Sequence, residues 1–300
     1  TGKTFWIKHS LEKSIPYISL NNTTTYNRLM ANPGELSEMV LLHKKEKMAV
    51  IDEIQKIPQL LDEVHELIEN EGFRFLLTGS SARKLKRSNA NMLGGRARSI
   101  SFFPLSYSEI PNFDLTRYLR WGGIPRIYLA EDPLAEIEDY VQTYLKEEIQ
   151  LEANIRNLPP FHRFLKTAAL SNGQMINYSG LASDAGVPVS TLKNYFEILT
   201  DTLIASTLEP WIESKKRKAI QTAKFYFFDT GVSHFLAGTE TLERNSNLWG
   251  NSFEQFILME LKAYNSYCQK HADICYWRSV DGYEVDFIIN SKIAIEVKSS

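Results

Sequence analysis

The sequence predicts an α/β fold: a parallel sheet layered with helices, then a helix–turn–helix segment, then a second, smaller α/β part. Three observations carry this. Met48-Ala49-Val50-Ile51 is a continuous apolar run that stops at Asp52-Glu53, as a strand buried on both faces of a parallel sheet reads. Phe73-Arg74-Phe75-Leu76-Leu77 is a second such run, ending in Thr78-Gly79-Ser80-Ser81, and a helical pattern separates the two. Near the end of the chain Asp281-Gly282 joins two strand-like runs, a strong hairpin signal.

The 300 residues have room for about two or three compact units. With 43% hydrophobic and 23% charged residues the composition is that of an ordinary soluble globular protein. A formal net charge of -2 excludes a global positive field, so any contact with nucleic acid must come from a local patch. No apolar run approaches the roughly 18 residues that cross a bilayer, and the start carries no signal-peptide pattern. The expected location is cytoplasmic, with no membrane partner. Cys268 and Cys275 are too few for a disulfide framework or a zinc cage, and the six histidines lack ligand spacing. Because the chain opens at Thr1 without a methionine and closes at Ser300 directly after a strand-like run, we expect a piece cut at both ends.

Taken in order, Gly2-Lys3-Thr4 precedes Phe5 to Leu11, whose apolar residues have helical spacing. A Gly-Lys-Thr that opens a helix is the end of a phosphate-binding loop. Backbone N–H groups and the Lys3 ammonium meet phosphates, and the Thr4 hydroxyl reaches magnesium. The upstream glycine and strand of such a loop are not in the chain, so weak nucleotide binding is expected from these 300 residues alone. Pro16 to Leu20 reads as a strand, with helices over Pro33 to His43 and Pro58 to Asn70. Asp52 and Glu53 fall at a strand's carboxyl end, where open α/β sheets place ligands. There Asp52 supports the magnesium shell and Glu53 orients an attacking water, the alternative being a plain helix cap. Thr78 and Ser80 would lie beside the acids and sense a terminal phosphate, or simply make a turn. The agreement of all three pieces in order favours the phosphate reading.

These pieces resemble the AAA+ and related P-loop ATPases. Gly2, Lys3 and Thr4 match the end of Walker A, Asp52 and Glu53 match Walker B, and Thr78 to Ser81 resemble the sensor-1 region. The stretch from Gly94-Gly95-Arg96 through Pro104-Leu105-Ser106 to Glu109 is similar to one found in a prokaryotic group of these ATPases with a C-terminal domain of unknown function. Trp121-Gly122-Gly123-Ile124-Pro125-Arg126 resembles the turn in that group's helical lid. The resemblance implies ATP and Mg2+ as cofactors. It also implies an Arg96 acting on the transferring phosphoryl group, in its own subunit or in a neighbour of a homo-oligomer, with a surface ion pair as the rival role.

From Pro133 to Ile155 the pattern is one long amphipathic helix. Asn177 to Leu199 has helix–turn–helix grammar: Asn177 caps the first helix, Gly186 turns, Ser190 caps the second, and Leu192, Phe196 and Leu199 form its buried stripe. Thr202 to Ser206 and Lys224 to Phe228 would supply a wing, with Lys215-Lys216-Arg217-Lys218 between them. Thr191, Lys193 and Asn194 are the exposed donors for DNA, and the basic run would meet its phosphates. A protein-contact module is the alternative.

In the last part a helix over Gly250 to Tyr264 carries Glu254, and strands run over Ile274 to Arg278, Tyr283 to Ile289 and Ile293 to Lys298. Side chains alternate along a strand, so Glu296 and Lys298 share a face, and pairing in sequence brings Asp286 to them. Carboxylates so clustered need a divalent cation, and the lysine would position a water for phosphodiester attack. The set is similar to the PD-(D/E)XK nuclease superfamily, which implies Glu254, Asp286 and Glu296 on metal and Asp286, Glu296 and Lys298 in catalysis. Glu284 to Phe287, Ile295 to Lys298 and Lys224 to Val232 also resemble the ATPase group named above, so the resemblance covers essentially the whole chain.

The expected parts are a P-loop core over 1–104, a helical lid over 105–165, a winged-helix-like part over 166–222 and a restriction-endonuclease-like part, incomplete, over 223–300. The expected function is ATP hydrolysis coupled to a winged helix and a nuclease-like unit acting on nucleic acid. Two alternatives stay open: a nucleotide-gated switch that recruits proteins through an inactive nuclease-like domain, and a DNA-binding regulator with a vestigial ATPase.

Overall fold

In a computed structural model the described residues are 2–43, 45–79, 97–98, 100–145, 149, 158–212 and 222–298. Backbone contacts divide the chain into two units, Thr1–Ser99 and Ile100–Ser300.

The first unit is built on strands β1 (Tyr17–Ser19), β2 (Met48–Asp52) and β3 (Arg74–Leu77), parallel in the order β1-β2-β3. Parallel pairing sets Ser19 opposite Asp52 and Ile51 opposite Leu77, so Asp52 and Thr78 emerge at one carboxyl edge. Helices α1 (Gly2–Ser10), α2 (Thr23–Ala31), α3 (Glu35–Leu41) and α4 (Leu60–Glu71) belong to the same unit. Leu29, Leu36, Val40, Leu60 and Val64 are wholly buried against Ala49 and Ile51 of β2. Each such aliphatic contributes about 1.5–3 kcal/mol by leaving water. The sequence reading had no helix at α2, whose Thr-Thr-Thr start is poor in helix propensity. The Asn22 side chain, which accepts from the Thr25 N–H at 3.0 Å, is what starts it.

The second unit begins with α5 (Leu115–Trp121), α6 (Pro125–Tyr128) and α7 (Pro133–Asp139). The single long helix expected from Pro133 changes to a π turn over Tyr140–Leu145, and most of its remainder lies outside the described residues. The Gly122-Gly123 turn is tied to α11 (Thr230–Ala237) through Asp229, the cap residue of that helix. Asp229 accepts from the Val232 N–H at 3.1 Å and the Gly123 N–H at 2.8 Å. Gly122 has φ +77°, and a Cβ there would stand 1.9 Å from Asp229 Oδ1.

Next come α8 (Leu158–Leu170), α9 (Tyr178–Ala185) and α10 (Val189–Asp201), then the antiparallel pair β4 (Ala205–Leu208) and β5 (Lys224–Phe227). Asn177 caps α9 by accepting from the Gly180 N–H at 3.1 Å, and Gly186 ends it at φ +65°. Ser190, expected as the cap of α10, is inside it: the helix starts at Val189 behind Pro188, without a side-chain cap bond. The proline ring fixes the entry angle that a cap would otherwise set. Leu192, Phe196 and Leu199 are buried among Phe161, Phe164 and Phe225. The first wing strand starts later than expected because Thr202 still closes α10, its hydroxyl donating to Ile198 O at 2.7 Å, and Leu203 turns at φ +61°.

Helix α12 (Asn247–Tyr267) is capped by Ser246 and packs on the antiparallel sheet β6 (Ile274–Arg278), β7 (Glu284–Ile289) and β8 (Ile293–Ile295). Gly282, at φ +94°, turns the β6–β7 hairpin. Leu208, Tyr226, Leu258, Tyr276 and Phe287 share one core, which joins β4 and β5 to this sheet. Strand β8 stops at Ile295, short of the expected Lys298, and the Val297 N–H is taken by the Asp286 carboxylate at 2.7 Å. A side chain thus accepts a proton that a continuing ladder would have given to backbone.

Candidate functional site

At the carboxyl edge of β2 the Asp52 side chain is 2% exposed and receives three hydroxyls. Thr4 at the start of α1 donates to Oδ2 at 3.2 Å, Tyr17 of β1 donates to the same oxygen, and Thr78 after β3 donates to Oδ1. Burial first, then the Asp52 hydrogen bond and charge, push the Tyr17 phenol up to about 12. The Lys3 ammonium, one residue from Thr4, donates to Gly79 O at 2.6 Å. Gly2 begins α1 beside it, so the loop's basic and hydroxyl groups stand over the end of β3 and the carboxylate of β2.

Glu53 leaves the strand in a left-handed conformation, φ 67° and ψ 42°, a position uncommon for a residue other than glycine. Its N–H donates to Thr78 Oγ1 at 3.3 Å, so one threonine hydroxyl positions both acids. The 3-10 turn Ile54–Lys56 folds back at once, and the Gln55 side-chain amide donates to the Glu53 carboxylate. Gln55 also lines a cleft with Asn21, Thr23, Tyr26 and Lys56, in which the Lys56 ammonium donates to Asn21 Oδ1 at 2.6 Å. The hard oxygens of Thr4 and Asp52 are the donor type that magnesium takes, and Lys3 supplies the charge for phosphate. Ser80 and Arg96 lie outside the described residues.

On the helix–turn–helix, Lys193 and Asn194 are exposed and Thr191 is half-buried. Lys193 sets its ammonium 5.3 Å from the Tyr178 ring centre. Lys215, Lys216, Arg217 and Lys218 lie outside the described residues.

At the C-terminal end the expected residues enter two ion pairs. Glu254 of α12 pairs with the Lys224 ammonium at 2.9 Å and accepts from the Tyr226 hydroxyl at 2.5 Å. Lys298 pairs instead with Glu296 at 2.6 Å, both exposed, beyond the end of β8. Asp286 gives an oxygen to the Val297 backbone. Among the described residues no group of three or more His, Cys, Asp or Glu side chains is arranged to hold a metal ion. Glu254 and Glu296 each take a lysine partner, Lys224 and Lys298, while Asp286 reaches the backbone between Glu296 and Lys298. Lys224 was legible only as a strand residue, because its partners come from α12 and β7, far along the chain.

The comparisons with known proteins divide along the chain. Residues 1–111 match a family model described as an AAA domain. Residues 112–243 and 249–300 match two models described as domains of unknown function, DUF8612 and DUF4143. An uncharacterized protein of Mycobacterium tuberculosis is 29% identical over 260 residues, covering 84% of this chain and 58% of its own length. One of Methanocaldococcus jannaschii is 23% identical over 319 residues, covering 96% of this chain and 69% of its own. One of Haemophilus influenzae is 24% identical over 260 residues, covering 80% and 62%. The chain thus spans 58% of the length of the Mycobacterium relative. No solved structure matches. The match over residues 1–111 supports a nucleotide-binding, AAA-like domain at the start of the chain. No helix among the described residues is long and apolar enough to cross a membrane.

Proposed function

We propose that the first unit binds ATP with magnesium and hydrolyses it, and that the second unit turns nucleotide state into a change of grip on DNA. The observation that carries the first half is Asp52, buried at a strand's carboxyl edge and held by Thr4 and Thr78 beside Lys3. Bound magnesium would supply charge neutralisation for the phosphates. Lys3, which now donates to Gly79 O, would hold phosphate oxygens, and Thr4 and Asp52 would hold the metal. Glu53 accepts a proton-bearing water with its carboxylate, steered by Gln55 and by the Thr78 hydroxyl under its backbone. Arg96 and Ser80 are assigned to the terminal phosphate on the resemblance alone. Hydrolysis assayed in the full-length protein, with Lys3→Ala and Glu53→Gln beside it, tests this: turnover that survives both substitutions contradicts it.

For the second half, Lys193, Asn194 and Thr191 offer donors on one helix, and the basic run Lys215 to Lys218 offers charge for phosphates. DNA affinity that falls steeply with salt and drops in Lys193→Ala supports the assignment; affinity indifferent to both removes it.

A second reading, a nucleotide-gated switch whose C-terminal domain only binds partners, is favoured by one observation. Glu254 is engaged by Lys224 and Glu296 by Lys298, so two carboxylates of the nuclease-like pattern already have a cationic partner without a metal. Cleavage of plasmid DNA in magnesium or manganese, lost in Asp286→Ala and Lys298→Ala, would return the nuclease reading. DNA left intact keeps the switch.

A further inference from the structure

A second concentration of charge lies in the last part of the chain, around Lys224 at the first residue of β5. Its side chain is only 5% exposed, yet its ammonium stands 2.9 Å from Glu254 Oε1 of α12 and 2.5 Å from Glu284 Oε1 of β7. The Tyr276 ring lies beneath it, with its centre at 5.2 Å. The outer oxygen of Glu284 receives Arg278 at 3.1 Å, and the Tyr226 hydroxyl seals Glu254 at 2.5 Å. Strand, helix and hairpin therefore meet at one cation.

Two carboxylates delivered to one point by different elements repel each other unless positive charge sits between them. A divalent ion is one way to supply that charge. We propose that Lys224 is the resident cation of this cluster, its ammonium filling the bridging position between α12 and β7, so that Glu254 and Glu284 serve no divalent metal.

Burial alone would press Lys224 toward its neutral form, but the Glu254 and Glu284 carboxylates outweigh it and hold its pKa above the ordinary value. The ammonium accordingly stays charged in its buried place. Tyr226 is driven the opposite way from ionisation: burial first, then Glu254, raise its pKa well above the usual phenol value, so it remains a donor. An ammonium carries three donors, and the two carboxylates and the Tyr276 face use the directions available to it. Asp286, two residues after Glu284 on the same face of β7, has already committed Oδ2 to the Val297 N–H. What results is an internal ion pair network whose integrity does not depend on metal supply.

Thermal unfolding and manganese binding of the full chain, without nucleotide and in an Asp52→Asn background to silence the first unit, test the proposal. Manganese is expected to give no binding or shift in melting temperature that depends on Glu254 or Glu284. Lys224→Met should lower the melting temperature, and added manganese should restore part of the loss. The double variant Lys224→Met/Glu254→Gln should recover stability and ignore manganese. If Lys224→Met fails to fold, recovery in the double variant carries the same conclusion. Manganese binding by the Lys224-containing protein that disappears in Glu254→Gln overturns the proposal. So does a Lys224→Met variant as stable as its parent, or a double variant no better than the single.

Discussion

Asp52 is the residue on which the first unit turns, and Thr78 is what fixes it. The threonine hydroxyl donates to the Asp52 carboxylate and accepts from the Glu53 N–H, so Thr78→Val strips both acids of one partner at once. Leaving buried polar groups unpaired costs about 1–3 kcal/mol, and turnover should fall further than stability does, as parallel denaturation and hydrolysis measurements would reveal. Glu53→Gln should keep nucleotide affinity while reducing turnover by roughly 10²–10⁴-fold, the scale of general-base loss. A very different residue, Asp229, sets a pH dependence. Burial raises its carboxyl to about 6 from an ordinary 3.8, against the pull of backbone N–H groups. The folded chain therefore holds this proton more tightly than the unfolded one. The stabilisation is complete below about pH 3.8 and is lost as pH rises through about 6. Melting temperature measured from about pH 3.5 to 7 should show this decline as a component that Asp229→Asn removes. Of these residues, the meeting of Lys3, Thr4, Asp52 and Thr78 at one edge was legible because the sequence sets them at strand and helix ends. Tyr17 and Gln55 were not. Tyr17 reaches Asp52 only through the parallel register that pairs it with Val50, and Gln55 reaches Glu53 only through a tight turn.

Elements in the second unit are held by polar crosslinks as much as by apolar packing. Gln255 of α12, fully buried, donates to Phe227 O at 2.8 Å, and Asn172 accepts from the Phe227 N–H at 2.8 Å. The two amides meet at 2.8 Å, so together they satisfy the backbone of Phe227 on the β5 edge away from β4, as a neighbouring strand would. Gln255→Ala should cost about 1–3 kcal/mol by leaving those groups unpaired, read as a shift in denaturation midpoint. The Gly122 turn is stiffer still. An alanine there meets the Asp229 carboxylate and a left-handed backbone together, so Gly122→Ala should destabilise by about 3 kcal/mol or more. Elements with one clear signal were legible: the apolar strands β2 and β3, the Asn177 cap and Gly186 turn, the Asp281-Gly282 hairpin. Those that depended on competing local effects were missed, such as α2 with its threonines and the π turn at Tyr140. The Val297 N–H captured by Asp286 shows the same limit, because periodicity records which face a residue takes and not which acceptor wins.

For the molecule as a whole, polar chemistry gathers at a strand edge in the first unit and in a self-neutralised acid cluster in the second. Chemistry is concentrated in the former: hydroxyls, an ammonium and two acids meet where a strand ends. The latter is tied together by Lys224, whose partners no local pattern could have named. The account therefore predicts that nucleotide turnover and C-terminal stability respond to separate substitutions. Whether the Asp52 edge hydrolyses nucleotide is read from steady-state turnover of magnesium ATP by the full-length protein, alongside equilibrium nucleotide binding. The wild type should turn over, Glu53→Gln should bind without turnover, and Lys3→Ala should lose binding. Binding and turnover at wild-type levels in both variants would contradict it.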